Sequence, residues 1–150
     1  MSATGGRFKP ELFNAAAARR IRERRGWTRG QLAARLDSVG VKTIASWEAG
    51  LRTPRPAHFL ALRQALEVDS ADLLTESRDR WPLPTLRMTE GHEMKAVAAR
   101  LGVSPERLRY IENGANPLTP QLAEQLASMY RTTRNEIQAC WQRARDALLT

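Results

Sequence analysis

The chain has 150 residues, a formal charge of +8 and a single cysteine, Cys140. One cysteine excludes an internal disulfide framework and fits a reducing compartment, so the cytoplasm is the expected location. Met1 to Lys9 lack a signal-type apolar core, and no run approaches the roughly 20 apolar residues of a membrane helix, so no membrane partner is expected. The basic balance favours polyanions, nucleic acid before acidic membrane. Residues 1–76 carry 13 Lys/Arg against 8 Asp/Glu and residues 77–150 carry 11 against 8, so the excess is greater in the first half.

Residues 1–9 are small, glycine-bearing and basic, and are expected to form a mobile N-terminal arm. From Pro10 onward the pattern is helical almost throughout, and no stretch alternates with period two. A first helix is expected over 11–25, ending at Gly26, where positive φ is tolerated. Thr28 followed by Gln31 is a capping box for the second helix, and Trp27 and Leu32 have the spacing of a hydrophobic staple. This helix is expected to end near Leu36. A third helix is expected over 41–49, stopping at Gly50, and a fourth opens at Pro56 with Phe59, Leu62 and Leu66 as its apolar stripe. A short fifth helix lies near 70–74. The two prolines of TESRDRWPLPT (75–85) signal a linker, placed at 77–84.

Beyond it the pattern returns. IRERRGWTRGQLAARL (Ile21–Leu36) aligns with LRMTEGHEMKAVAARL (Leu86–Leu101), and TIASWEAG (Thr43–Gly50) with RLRYIENG (Arg107–Gly114). Two copies of one unit of about 65 residues account for the chain, with bounds 10–76 and 85–150. In the second copy the first helix is squeezed between Pro84 and Gly91. The next helices are expected at 93–101, 105–113 and 120–130, with Ser104-Pro105-Glu106 a strong start for the middle one. The last helix runs to the end of the chain. Its stripe of Ile137, Cys140, Trp141, Ala144 and Leu148 can pack on its own domain or serve as the seam of a homodimer.

GWTRGQLAARL…TIASWEAGLRTP resembles the phage-repressor and xenobiotic-response-element (Cro/repressor-type) family of helix-turn-helix proteins, and VAARLGVSPERLRYIENG is similar to it again. The resemblance implies an all-α fold of two tandem five-helix, lambda-repressor-like domains. It also implies a sequence-specific double-stranded DNA-binding transcriptional regulator, a repressor rather than an enzyme, with no cofactor. Helix 3 of the first copy would enter the major groove. Base contacts would fall on Val41, Lys42, Thr43 and Ser46, and phosphate contacts on Arg29, Arg52 and Arg55. Arg22 with Glu48, and Arg87 with Glu112, would be structural salt bridges. In the second copy Arg29 becomes Met94, Lys42 becomes Glu106 and Arg52 becomes Asn116, leaving Glu106, Arg107, Arg109 and Tyr110 as a second reader or as an assembly surface. Because a fold does not dictate a function, a protein-interaction or antitoxin-like adaptor is the alternative.

Other features read as structural. Ile44, Trp47 and Val41 are expected on the inward face of helix 3, and Trp27 in the core. His58 and His92 have no ligand-spaced neighbours, so no metal is expected. Cys140 is read as a small buried hydrophobe. The RRIRERR run (19–25) fits a phosphate stripe or a solvated helix face equally well.

Overall fold

The computed structural model describes residue 9 and residues 11–150; the expected arm, Lys9 apart, and Pro10 lie outside the described residues. Among the described residues the chain is all-α: α1 (Ala15–Arg24), α2 (Arg29–Ala33), α3 (Val41–Glu48), α4 (Pro56–Leu66), α5 (Leu83–Thr89), α6 (Met94–Leu101), α7 (Pro105–Glu112), α8 (Pro120–Met129) and α9 (Arg134–Leu148), with 3-10 turns at Ser70–Leu73 and Arg78–Arg80. No described helix is long and apolar enough to cross a membrane.

Local chemistry sets most of the helix starts. Thr28 accepts from the Gln31 amide and the Gln31 side chain accepts from the Thr28 amide, satisfying two donors that α2 leaves unpaired. Ser104, Thr119 and Thr133 cap α7, α8 and α9 in the same way, each accepting from the amide three residues on. The first helix begins later than its composition suggests. Asn14 caps it by accepting from the Ala17 amide, and Phe13 turns away to form an antiparallel bridge with Leu74. The Asn14 amide donates to the Leu73 carbonyl and that of Thr75 to Leu12, so the two ends of the first unit are tied together. Phe13 then meets Phe59 edge to face, with centroids 6.3 Å apart.

The core of the first unit gathers Leu32, Ile44, Trp47, Phe59, Leu62, Leu66 and Leu73; that of the second gathers Val97, Leu108, Ile111, Leu126, Tyr130, Ile137 and Cys140. The two are continuous. Residues 77–84 are more than a spacer, because Trp81 and Leu83 are buried and α5 packs on α4. The Trp81 indole donates to the Glu76 carbonyl at 2.9 Å, Arg143 donates to the Trp81 carbonyl at 2.9 Å, and Arg78 grips both Glu136 oxygens at 3.0 Å.

The apolar stripe of α9 is turned inward: Ile137 and Cys140 are buried, and the Trp141 indole donates to the Asn116 carbonyl at 3.0 Å. Only Leu148 and Leu149 stay exposed at its end. A homodimer through this helix would therefore have two leucines, not the full stripe, to offer.

Candidate nucleic-acid interface

In each unit a buried arginine–glutamate pair fixes the third helix to the first. Arg22 on α1 donates through Nε to Glu48 Oε2 at 2.6 Å and through Nη2 to Oε1 at 3.0 Å. Arg87 on α5 donates to Glu112 on α7 at 2.8 and 3.3 Å, with both side chains all but completely buried. Each arginine spends a further donor on a backbone carbonyl just beyond its helix, Trp27 for Arg22 and His92 for Arg87. The guanidinium fork suits this task because its planar donors match a carboxylate and a carbonyl at once.

The pairs differ electrostatically. Glu48 also accepts from Arg29 Nε at 2.9 Å. Burial pushes its carboxyl up, but hydrogen bonds from Arg22 and then Arg29 outweigh this and hold it below the ordinary carboxylate range. Among the described residues Glu112 has no such second partner, since Met94 stands where Arg29 does. There burial wins over Arg87 and the carboxyl is pushed up. A lowered folded pKa means that stability from Glu48 is present above the ordinary carboxylate range and is lost as pH falls through the depressed value. The gap in urea midpoint between wild type and Glu48→Gln should therefore be widest at neutral pH and close below about pH 4. A gap unchanged down to about pH 3 would contradict this wiring.

With α3 anchored by Glu48, Ile44 and Trp47 point into the core. Lys42 is exposed, while Thr43 and Ser46 are half-buried beside it. Val41, expected inward, is 50% exposed, so it stands on the outer row with them. Arg52 is exposed in the loop that follows, and its amide and that of Leu51 both donate to the Ser46 carbonyl, at 3.3 and 3.0 Å. Leu51 is 78% exposed at this edge. Its signal was an apolar residue just past the helix-ending Gly50, out of register with any buried stripe. Arg29 lies at the start of α2, tied to Glu48 but still 38% exposed. Arg55 also keeps an exposed guanidinium, within 3.3 Å of Glu93 in the second unit. The structure thus sets Val41, Lys42, Thr43 and Ser46 on one helix, gives Arg29 and Arg55 acidic partners, and among the described residues shows none for Arg52.

In the second unit Glu106, Arg107, Arg109 and Tyr110 are all exposed on α7, with the Arg109 guanidinium 5.6 Å from the Tyr110 ring centroid. The loop after α7 is covered. Gly114 lies against α9 so closely that a Cβ would sit 2.5 Å from the Arg145 amide nitrogen, and Arg145 Nη1 donates to its carbonyl at 3.1 Å. The matching Gly50 faces open space.

Most of the other candidates are absorbed by the scaffold, but Arg20 and Arg24 stay exposed on α1. Within RRIRERR, Arg22 is in the buried pair, Arg19 meets Glu23 and Arg25 donates to the Leu66 carbonyl at 2.6 Å. Trp47 is buried, whereas Trp27 is half-buried, with the Arg35 guanidinium 4.0 Å from its centroid. His58 sits near Trp47, and His92 Nε2 is 3.0 Å from the Met129 carbonyl. Cys140 is buried, which pushes its thiol pKa up. Among the described residues no three of His, Cys, Asp and Glu are grouped to hold a metal ion.

A short helix, a tight turn and a second helix with one buried and one exposed face thus occur twice in order. The family description Helix-turn-helix matches residues 19–73, and Helix-turn-helix domain matches residues 83–139. The chain is a tandem helix-turn-helix protein of the Cro/repressor type. Comparison with curated proteins and with solved structures found no match. Two helix-turn-helix domains give the chain the character of a DNA-binding regulator.

Proposed function

We propose that this tandem helix-turn-helix protein is a sequence-specific double-stranded DNA-binding repressor that acts by occupying its operator, with no enzymatic step. The observation that carries the reading is the two-faced α3. Ile44 and Trp47 hold it in the core, and Val41, Lys42, Thr43 and Ser46 form the opposite row. Lysine can donate to guanine O6 and N7, Ser and Thr can serve several base edges, and Val41 and the Thr43 methyl can meet a thymine methyl. Arg29, Arg52 and Arg55 border this row and suit phosphate, which positions the protein but does not specify the sequence. No cofactor is needed for such binding.

Selection of bound duplexes from a random pool by the full chain tests the reading, and a pool that yields no preferred sequence overturns it. Against the selected site, Lys42→Ala should lose about 1–3 kcal/mol while hardly affecting random DNA. Arg52→Ala should weaken both alike. An unchanged selected sequence with Lys42→Ala would remove α3 from the groove.

A second reading, a protein-interaction or antitoxin-like adaptor role, has one observation in its favour. The second unit lacks counterparts of Arg29 and Arg52, and α9 covers the loop after α7. Duplex binding that is undisturbed by substitutions on α7 would assign that unit to a protein partner.

A further inference from the structure

Tandem readers on a flexible tether and tandem readers in one body recognise different DNA. In this chain the units meet along a packed seam. Leu60 on α4 stands against Gly91, where a Cβ would lie 2.8 Å from Leu60 Cδ2, and Gly91 itself has a φ of +80°. Trp81 and Leu83 are buried in the junction, and Arg78–Glu136 and Arg143–Trp81 tie it to α9. The seam reaches the surface at Arg55 and Glu93. Arg55 follows the reading helix of the first unit. Glu93 occupies the N-cap of α6, directly before Met94, the residue aligned with Arg29. Its carboxylate makes no capping bond and is held by Arg55 instead. The ion pair therefore joins two different edges, the loop after α3 in the first unit and the start of α6, which aligns with Thr28 before α2, in the second. Half-exposed as it is, the pair contributes little stability. It neutralises a carboxylate that would otherwise repel a phosphate backbone passing the seam.

We infer that the two units read one duplex as a single rigid body, so that the operator consists of two unlike half-sites at one fixed spacing. This rests on the DNA-binding reading above. The third helices cannot prefer the same bases, since Val41, Lys42, Thr43 and Ser46 face Pro105, Glu106, Arg107 and Tyr110 in alignment. A tether tolerates changed spacing because the second contact depends only on effective concentration. A rigid pair does not, because about five inserted base pairs, half a helical turn, carry the second half-site to the opposite face of the duplex.

The experiment uses the full chain and the operator taken from the random pool. Base pairs are inserted between the half-sites, singly and up to about one helical turn, and a duplex carrying only the half-site sensitive to Lys42→Ala serves as reference. Insertion of half a turn should reduce affinity to that of the reference, a loss of about tenfold or more. A full-turn insertion should not restore it. Arg107→Ala should change base preference in the other half-site alone. Retained affinity after half-turn or full-turn insertion would show independently tethered units and overturn the inference. So would a selected site with no bases sensitive to Arg107→Ala, which leaves the DNA-binding reading intact. A pool with no preferred sequence would instead sink that reading and this inference with it.

Discussion

Arg87→Met should destabilise the protein by about 3–5 kcal/mol, because it leaves Glu112 as a buried carboxylate with its guanidinium removed. Methionine keeps the length of the side chain, so the cost reports charge and hydrogen bonding more than an emptied volume. For a chain of this size the expected fall in Tm is roughly 10 °C. Arg22→Met should cost less, about 1–3 kcal/mol, since Arg29 still donates to Glu48 at 2.9 Å. The asymmetry should deepen at neutral pH. Burial raises the Glu112 carboxyl, so without Arg87 the group takes up a proton in mild acid and part of the penalty is relieved. Urea titrations of both variants, each crossed with glutamine at its partner glutamate, would measure the coupling energies. Equal losses from the two arginine substitutions, or additive losses within each cycle, would refute the account of the two pairs.

Duplex binding should fall steeply with salt. Each phosphate neutralised by Lys or Arg contributes about −0.9 to the slope of log K against log salt. If Arg29, Arg52 and Arg55 are the only phosphate contacts, the slope is near −2.7 and affinity drops about fortyfold between 50 and 200 mM salt. If the arm, α3 and the second unit bring the total to roughly six, the slope is near −5 and the drop is on the order of a thousandfold. Arg52→Ala should shallow the slope by about one unit. Arg55→Ala should do less, since Glu93 already partners that guanidinium. A flat salt response would remove nucleic acid as the partner.

What could be read from the sequence was local or periodic. The capping box of Thr28 and Gln31 involves residues three apart, and Ser104 before Pro105 is a start signal whatever surrounds it, so the helices and the repeat were visible in the chain. The first helix starts later than its composition suggested because Phe13 finds Leu74, sixty-one positions away, and a period of 3.6 cannot register such a partner. Trp81 lay among prolines and read as punctuation, yet the space between α5 and α9 buries it. Arginine is an equally good ligand for phosphate and for carboxylate. Residue type alone could therefore not show that Arg29 also serves Glu48, or that Arg55 faces Glu93. Val41 falls at a spacing that suits either side of a short helix, and half of it is exposed. Which residues line α3 and α7 was legible; which of their flanking cations already have protein partners was not.

The short α5 has a consequence for how the protein comes apart. Leu83, Thr85, Leu86, Arg87, Met88 and Thr89 are all buried, so six of its seven residues have no solvent face. A helix this short has almost no stability of its own. It belongs to the second copy, whose α9 and Glu112 hold it on one side, but it is also held by α4 of the first copy on the other. Opening either unit strips α5 of half its support, and loss of α5 exposes the apolar surface of the other unit. The duplicated modules are therefore expected to unfold as one cooperative unit. A nick or a premature stop between the copies would not release two working halves. It would leave two fragments, each with a raw apolar surface, exposed to aggregation and proteolysis.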